Sequence, residues 1–146
     1  MVIDLSKLKV LVVEDNREAA RLIRMVLRDL GINQIFNAQD GREALDFLGS
    51  CEEMIDLVIS DWNMPRMTGV ELLRQLRTAR PNMPFLMITA RGNAEAVNEA
   101  RDHGVSAYLV KPFAPAELER KLLSLYRRSR NGPAAPAETA ESAEES

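Results

Sequence analysis

The sequence is short of several things, and each shortage closes off a class of function. A single cysteine, Cys51, has no partner for an internal disulfide and rules out a multi-cysteine metal site. Alone, it reads as a small buried hydrophobe. The one histidine, His103, stands before Gly104 at the end of a helical pattern, where it fits the closing of that helix. No apolar run nears the roughly 20 residues that span a bilayer. The opening Met1-Val2-Ile3-Asp4-Leu5-Ser6-Lys7 lacks the layout of a signal peptide, so the expected location is cytoplasmic, without membrane insertion.

What is present describes an ordinary globular chain. Its 146 residues, 46% hydrophobic and 28% charged, suffice for one domain with a core and fall short of two. The net charge of −3 is unevenly placed, because residues 131–146 hold Glu138, Glu141, Glu144 and Glu145 and no Lys or Arg. Without those four, the body carries 19 basic and 18 acidic residues, too balanced for a nucleic-acid footprint. The last segment is Pro, Ala, Ser and Glu with no large apolar side chain, and buries too little to offset its ordering entropy. The expected division is a folded domain over 1–130 and a disordered acidic tail over 131–146.

Strand-like and helix-like patterns alternate five times along the body. The runs Lys9–Val13, Gln34–Asn37, Ile55–Ser60, Phe85–Thr89 and Ala107–Val110 read as strands, the second an edge strand because polar residues flank it. Ala19, Leu22, Ile23, Val26, Leu27 and Leu30 keep the helical period and stop before Gly31. A second helix starts at Asp40 as N-cap, with Glu43 three residues on and Ala44, Leu45 and Leu48 inside. Thr68-Gly69-Val70-Glu71 is a capping box before Val70, Leu73 and Leu76. The helix from Asn93 to Asp102 has only Ala94, Ala96, Val97 and Ala100 to bury, so it should be the least firmly held. Pro115 opens the last helix, with Leu118, Leu122, Leu125 and Tyr126. Five such units with short connections predict an α/β fold, a doubly wound parallel sheet covered on both faces.

In such sheets ligands gather beyond the carboxyl ends of the strands. The first strand delivers Glu14 and Asp15 there, the third Asp61, the fourth Thr89 and the fifth Lys111. Carboxylates crowded at one edge repel each other unless a cation joins them. A hard divalent ion with oxygen ligands, Mg²⁺ above all, answers that need, and Lys111 and Thr89 add a second cation and a donor. Such surroundings suit phosphoryl transfer, in which a carboxylate can act as nucleophile. Asp61 is the best candidate acceptor, with the acid pair on one side and Thr89 and Lys111 on the other.

The segments Val10-Leu11-Val12-Val13-Glu14-Asp15-Asn16, Ser60-Asp61-Trp62-Asn63-Met64-Pro65, Ile88-Thr89-Ala90 and Tyr108-Leu109-Val110-Lys111-Pro112-Phe113 occur in this order. Together they resemble the receiver domains of two-component response regulators, of the single-domain chemotaxis-regulator type. The resemblance implies a flavodoxin-like sheet of order 2-1-3-4-5 with five helices. It implies that Asp61 accepts a phosphoryl group from a sensor histidine kinase or a histidine phosphotransfer protein. Asp15, Asp61 and the backbone carbonyl of Asn63 would bind Mg²⁺, with Glu14 acting through a water, and Lys111 would contact the phosphoryl group next to a cis bond to Pro112. Thr89 and Tyr108 would form the switch, Tyr108 swinging inward, and remodel a helix 4–strand 5–helix 5 face for a downstream protein target. The protein would then be a signalling switch that catalyses its own phosphorylation and slow dephosphorylation, not a turnover enzyme.

Two features depart from the nearest subfamily. Its acid pair is usually Asp-Asp where Glu14-Asp15 stands here, and an acidic residue is usual at Arg91, a position that tunes dephosphorylation. A cation there would hold the phosphate longer or hinder a phosphatase, and does not favour a flagellar-motor target. Trp62 reads as a partly exposed aromatic at the site rim, and the methionines, Met25 and Met87 included, as core filler. An aspartyl phosphatase would carry a general acid at position 63, which is Asn63. A flavin or nucleotide carrier would need a glycine-rich anion cradle where Glu14-Asp15-Asn16 stands. A DNA-binding regulator would need an output domain, and a docking-only receiver would lack one of the five site residues.

Overall fold

A computed structural model describes residues 5–51 and 55–130. The expectations for residues 131–146, for the N-terminal Met1–Asp4 and for the side chains of Cys51 and Tyr126 lie outside what it describes. After a turn of 3-10 helix at Leu5–Lys7 the elements run β1 (Lys9–Val13), α1 (Arg17–Asp29), β2 (Gln34–Ala38), α2 (Gly41–Cys51), β3 (Leu57–Asp61), α3 (Gly69–Ala79), β4 (Phe85–Thr89), α4 (Ala94–Asp102), β5 (Ala107–Val110) and α5 (Pro115–Arg130). The strands form one parallel sheet in the order β2-β1-β3-β4-β5, the α/β doubly wound arrangement expected.

Side-chain alternation along the strands feeds two cores. Val10, Val12, Leu57, Ile59, Leu86, Ile88 and Leu109 face α1 and α5, meeting Ile23, Val26, Leu27, Leu118 and Leu122. Leu11, Val13, Val58, Phe85, Met87 and Tyr108 face the other way, onto Ala44 and Leu48 of α2, Leu72, Leu73 and Leu76 of α3, and Ala96 and Ala100 of α4. α4 buries only those two alanines fully. Ala94 is exposed, so this helix is thinner on its inner face than its sequence promised.

The helix ends follow side-chain chemistry. Asn16 caps α1 by accepting the Ala19 N–H at 2.8 Å. The Thr68–Glu71 capping box of α3 is formed in both directions, at 3.2 and 2.9 Å. Asp40 Oδ1 caps α2 by accepting the Glu43 N–H at 2.9 Å, while the Glu43 carboxylate reaches one residue further back, to the Gln39 N–H at 2.8 Å. His103 is the C-cap of α4 and Gly104 follows with φ of 90°, so the histidine closes that helix as expected.

Three expectations need correcting. β3 begins at Leu57 and includes Asp61, rather than spanning Ile55 to Ser60. At Asp56 the N–H still reaches the Lys9 carbonyl at 2.7 Å, but the Lys9 N–H is taken at 2.9 Å by the Asp56 carboxylate in place of a backbone carbonyl, so the ladder starts one residue later. Met25 is 51% exposed rather than core filler. It lies two positions from both Ile23 and Leu27, about half a turn round the helix from the buried stripe. Trp62, placed above at a partly exposed rim, is buried at 4%.

Candidate functional site

Strand register sets the site. Val13 pairs with Ser60, so Glu14 and Asp61, the next residues, stand side by side at the carboxyl edge of the sheet. Asp61 pairs with Ile88 and Thr89 with Val110, which brings the Thr89 and Lys111 ends alongside. The Glu14 N–H is still tied to the neighbouring strand, donating to the Ala38 carbonyl at 3.0 Å, and Lys111 N–H donates to the Thr89 carbonyl at 2.8 Å.

The acids meet as the sequence implied. Carboxylate oxygens of Glu14, Asp15 and Asp61 lie within 4.8 Å of one another. Glu14 and Asp61 are buried and Asp15 is exposed, so the cluster opens to solvent on the Asp15 side. Lys111 Nζ stands 3.3 Å from Glu14 Oε1 and 3.4 Å from Asp61 Oδ2, bridging the pair. The Lys111–Pro112 bond is cis.

The electrostatics show an excess of negative charge. Burial, and then the Asp61 carboxylate, push the Glu14 carboxyl up to about 7, against the lowering effects of the Asn16 N–H and of Lys111. Burial alone would pull the Lys111 ammonium down, but Asp61 and Glu14 outweigh it and hold it above its ordinary value. One ammonium therefore leaves the three acids under-neutralised. An all-oxygen donor set of this kind, open on one side, fits a hard divalent cation such as Mg²⁺ with Glu14, Asp15 and Asp61 as the protein's contribution. Asn63, the fourth expected ligand, is exposed in the loop after β3.

Thr89 and Tyr108 join a second cluster, centred on Arg91. Thr89 is fully buried, and its hydroxyl oxygen accepts the Arg91 N–H at 3.0 Å. The Tyr108 hydroxyl donates to the Arg91 carbonyl. The Arg91 guanidinium lies over the Trp62 ring, 4.6 Å from its centroid, and Tyr108 meets Trp62 edge-on with centroids 6.4 Å apart. This is why Trp62 is covered: Arg91 lies over its ring and Tyr108 meets it edge-on. Tyr108 is already inward, 7% exposed, and burial pushes its hydroxyl up to about 12. The sequence marked Arg91 as an unusual residue, but nothing in its spacing announced that one residue would join Thr89, Tyr108 and Trp62. Arg66 was missed altogether. It carries φ of 69° in the loop after Asp61 and pairs with Asp40 at 2.9 Å.

A family model described as the response regulator receiver domain matches residues 10–123. The chain is 41% identical over 125 residues to chemotaxis protein CheY-3 of Vibrio cholerae, spanning 84% of this chain and 95% of that protein. It is 39% identical over 123 residues to chemotaxis protein CheY of Pseudomonas aeruginosa, spanning 83% of this chain and 98% of that protein. Among solved structures it resembles V. cholerae CheY4, with a TM-score of 0.74 and 35% identity over 81% of this chain and 98% of that one. A chain of the CheX–CheY–BeF3–Mg²⁺ complex from Borrelia burgdorferi gives a TM-score of 0.78 and 28% identity, over 82% and 89% of the two chains.

Proposed function

We propose, from the premise that the chain belongs to the response regulator receiver domain family, that it is a phosphorelay switch whose acceptor is Asp61. The observation that carries this reading is the position of the Asp61 carboxylate. It is buried, within 4.8 Å of two further acids and 3.4 Å from the Lys111 ammonium. A phosphoryl group arriving there meets a nucleophile on one side and a cation on the other.

The donor is a phosphohistidine on a sensor histidine kinase or a histidine phosphotransfer protein. An Asp61 carboxylate oxygen forms the new O–P bond as the N–P bond breaks, and the bonding pair leaves with the imidazole nitrogen, which takes up a proton. Lys111 then exchanges its carboxylate partners for a phosphoryl oxygen, following the charge as it moves outward. Asp15, Asp61 and the Asn63 backbone carbonyl would hold Mg²⁺ directly and Glu14 through a water, and the ion would supply charge that offsets the phosphoryl oxygens. Asn63, two residues after the acceptor, is no general acid, so the aspartyl phosphate persists and the protein acts as a switch.

Readout passes through Thr89 and Tyr108. A phosphoryl group at Asp61 draws the Thr89 hydroxyl toward it, at the expense of its bond to the Arg91 N–H. Because Arg91 also holds Tyr108 and covers Trp62, the change spreads to α4 and β5, where α4 is weakly anchored. The partner face is therefore α4–β5–α5, the output is protein binding in the cytoplasm, and residues 131–146 are an acidic appendage to the 1–130 receiver. Among the described residues no helix is long and apolar enough to cross a membrane.

The test is the intact mass after incubation with acetyl phosphate. A gain of one phosphoryl group that needs Mg²⁺ and disappears in Asp61→Asn is expected. No gain in protein that demonstrably binds Mg²⁺ would leave a docking module instead of a phosphorylated switch.

A further inference from the structure

The loop joining β3 to α3 begins Trp62-Asn63 and is fixed at two points. At its base the Gly69 N–H donates to the Trp62 carbonyl at 2.8 Å. At its apex Arg66 holds φ of 69°, a backbone conformation that side-chain-bearing residues seldom adopt, and the Met67 N–H closes on the Pro65 carbonyl at 2.7 Å. The Arg66 guanidinium reaches back to α2, with Nε donating to Asp40 Oδ2 at 2.9 Å and Nη2 at 2.9 Å from the same oxygen. Met67 packs beside this pair, so close to Gly41 that a methyl group there would lie 2.9 Å from Met67 Cγ.

Asp40 is a firm anchor for that reach. It is 5% exposed, and its other oxygen caps α2. The Glu43 N–H, with help from Arg66, holds its carboxyl below the usual range against the opposing effect of burial. Two residues earlier, the Ala38 carbonyl accepts the Glu14 N–H at 3.0 Å. The segment from the end of β2 to the start of α2 is thus tied at Ala38 to the strand end that carries Glu14, and at Asp40 to the apex of the loop that carries Asn63.

We infer that Arg66 and Asp40 form a strut that sets the affinity of the acid cluster for a divalent cation, by holding the Asn63 segment in place before the ion arrives. Both are positioning residues that touch neither the ion nor the phosphoryl group. The inference rests on the proposed metal site. Groups that orient metal ligands from behind typically alter affinity about 10- to 100-fold, because without them the ligands are ordered at the expense of binding.

The test uses the full chain, with Mg²⁺ titrated by calorimetry and by Trp62 emission. Asp40→Asn keeps a good N-cap acceptor while removing the charge. Arg66→Gly tolerates the positive φ while removing the guanidinium. Each should weaken Mg²⁺ binding about tenfold, and the double variant should bind no more weakly than either single one. Arg66→Lys should recover most of the affinity. Thermal midpoints without Mg²⁺ give the control, because a merely structural pair would lower the midpoint and leave the dissociation constant alone. Affinity within twofold of the unmodified protein in both single variants, or additive losses, would overturn the strut. Failure of the unmodified protein to bind Mg²⁺ would instead overturn the metal-site reading.

Discussion

Gly69→Ala should unfold this domain far more easily, against the usual rule for a glycine in a helix. Exchanging glycine for alanine inside a helix normally stabilises by about 0.5–1 kcal/mol, because the unfolded chain loses freedom and the helix gains propensity. Gly69 is the first residue of α3, where a methyl group would sit 2.2 Å from the Asp61 carbonyl oxygen and 3.0 Å from both Trp62 Cα and the Met87 sulfur. Two of those three are backbone atoms of the acceptor strand end, held in the β3–β4 ladder and by the Trp62 N–H bond to the Ile88 carbonyl at 3.1 Å. Relief needs a shift of about 1 Å between α3 and β3, and forced overpacking of that kind costs roughly 3 kcal/mol or more. For a domain of this size that lowers the melting midpoint by about 10 °C. Gly49→Ala is the matched control. Gly49 is exposed in α2 with nothing within 4 Å of the added methyl, so it should stabilise by about 0.5–1 kcal/mol. Urea unfolding at neutral pH reads both. A Gly69→Ala protein as stable as the parent would refute the close approach of α3 to the strand end that carries Asp61.

Asp40→Ala should cost about 1–2 kcal/mol through the lost α2 cap. Because the folded-state carboxyl lies below its ordinary value of 3.8, the parent's advantage should be full above that pH and vanish as pH falls through the lower folded value, in urea melts at stepped pH. Lys111→Met should tighten Mg²⁺ binding severalfold, since it removes a cation 3.3 and 3.4 Å from two acids, yet slow phosphorylation by acetyl phosphate about a hundredfold; weaker Mg²⁺ binding in calorimetry would contradict it. Arg91→Ala should shift Trp62 emission to the red and open it to iodide quenching, because the guanidinium 4.6 Å above the ring is its cover; an unchanged spectrum would count against that stack. The Tyr108 hydroxyl is raised to about 12, so its contribution to stability is whole below its unfolded value near 10 and lost between there and 12; that slope should be absent in Tyr108→Phe.

Most of the fold was legible because its signals are local. β1, β4 and β5 begin and end where their apolar runs do, and the Asp40 cap, the Thr68–Glu71 box and Pro115 mark helix starts by chemistry that acts over a few residues. The acid cluster was legible for a different reason: a parallel sheet delivers every strand's carboxyl end to one edge, so Glu14, Asp15, Asp61 and Lys111 could be assembled before their distances were known. What escaped was long-range. The Arg66–Asp40 pair spans 26 positions and depends on a positive φ at an arginine, which no propensity foretells. The burial of Trp62 depends on Arg91 and Tyr108 arriving from two other segments, and polar neighbours made it look like a rim residue. The Asp56 carboxylate takes the Lys9 N–H in place of a backbone carbonyl, a competition between side chain and ladder that the apolar run conceals.

The central claim is that Asp61, and no neighbouring acid, carries the phosphoryl group. The most direct measurement is to treat the protein with acetyl phosphate and Mg²⁺, reduce it with borodeuteride, which converts an acyl phosphate to a labelled alcohol, and sequence the peptides by tandem mass spectrometry. The label is expected at position 61 alone. Label at Glu14 or Asp15, or no label in protein shown to bind Mg²⁺, would contradict it.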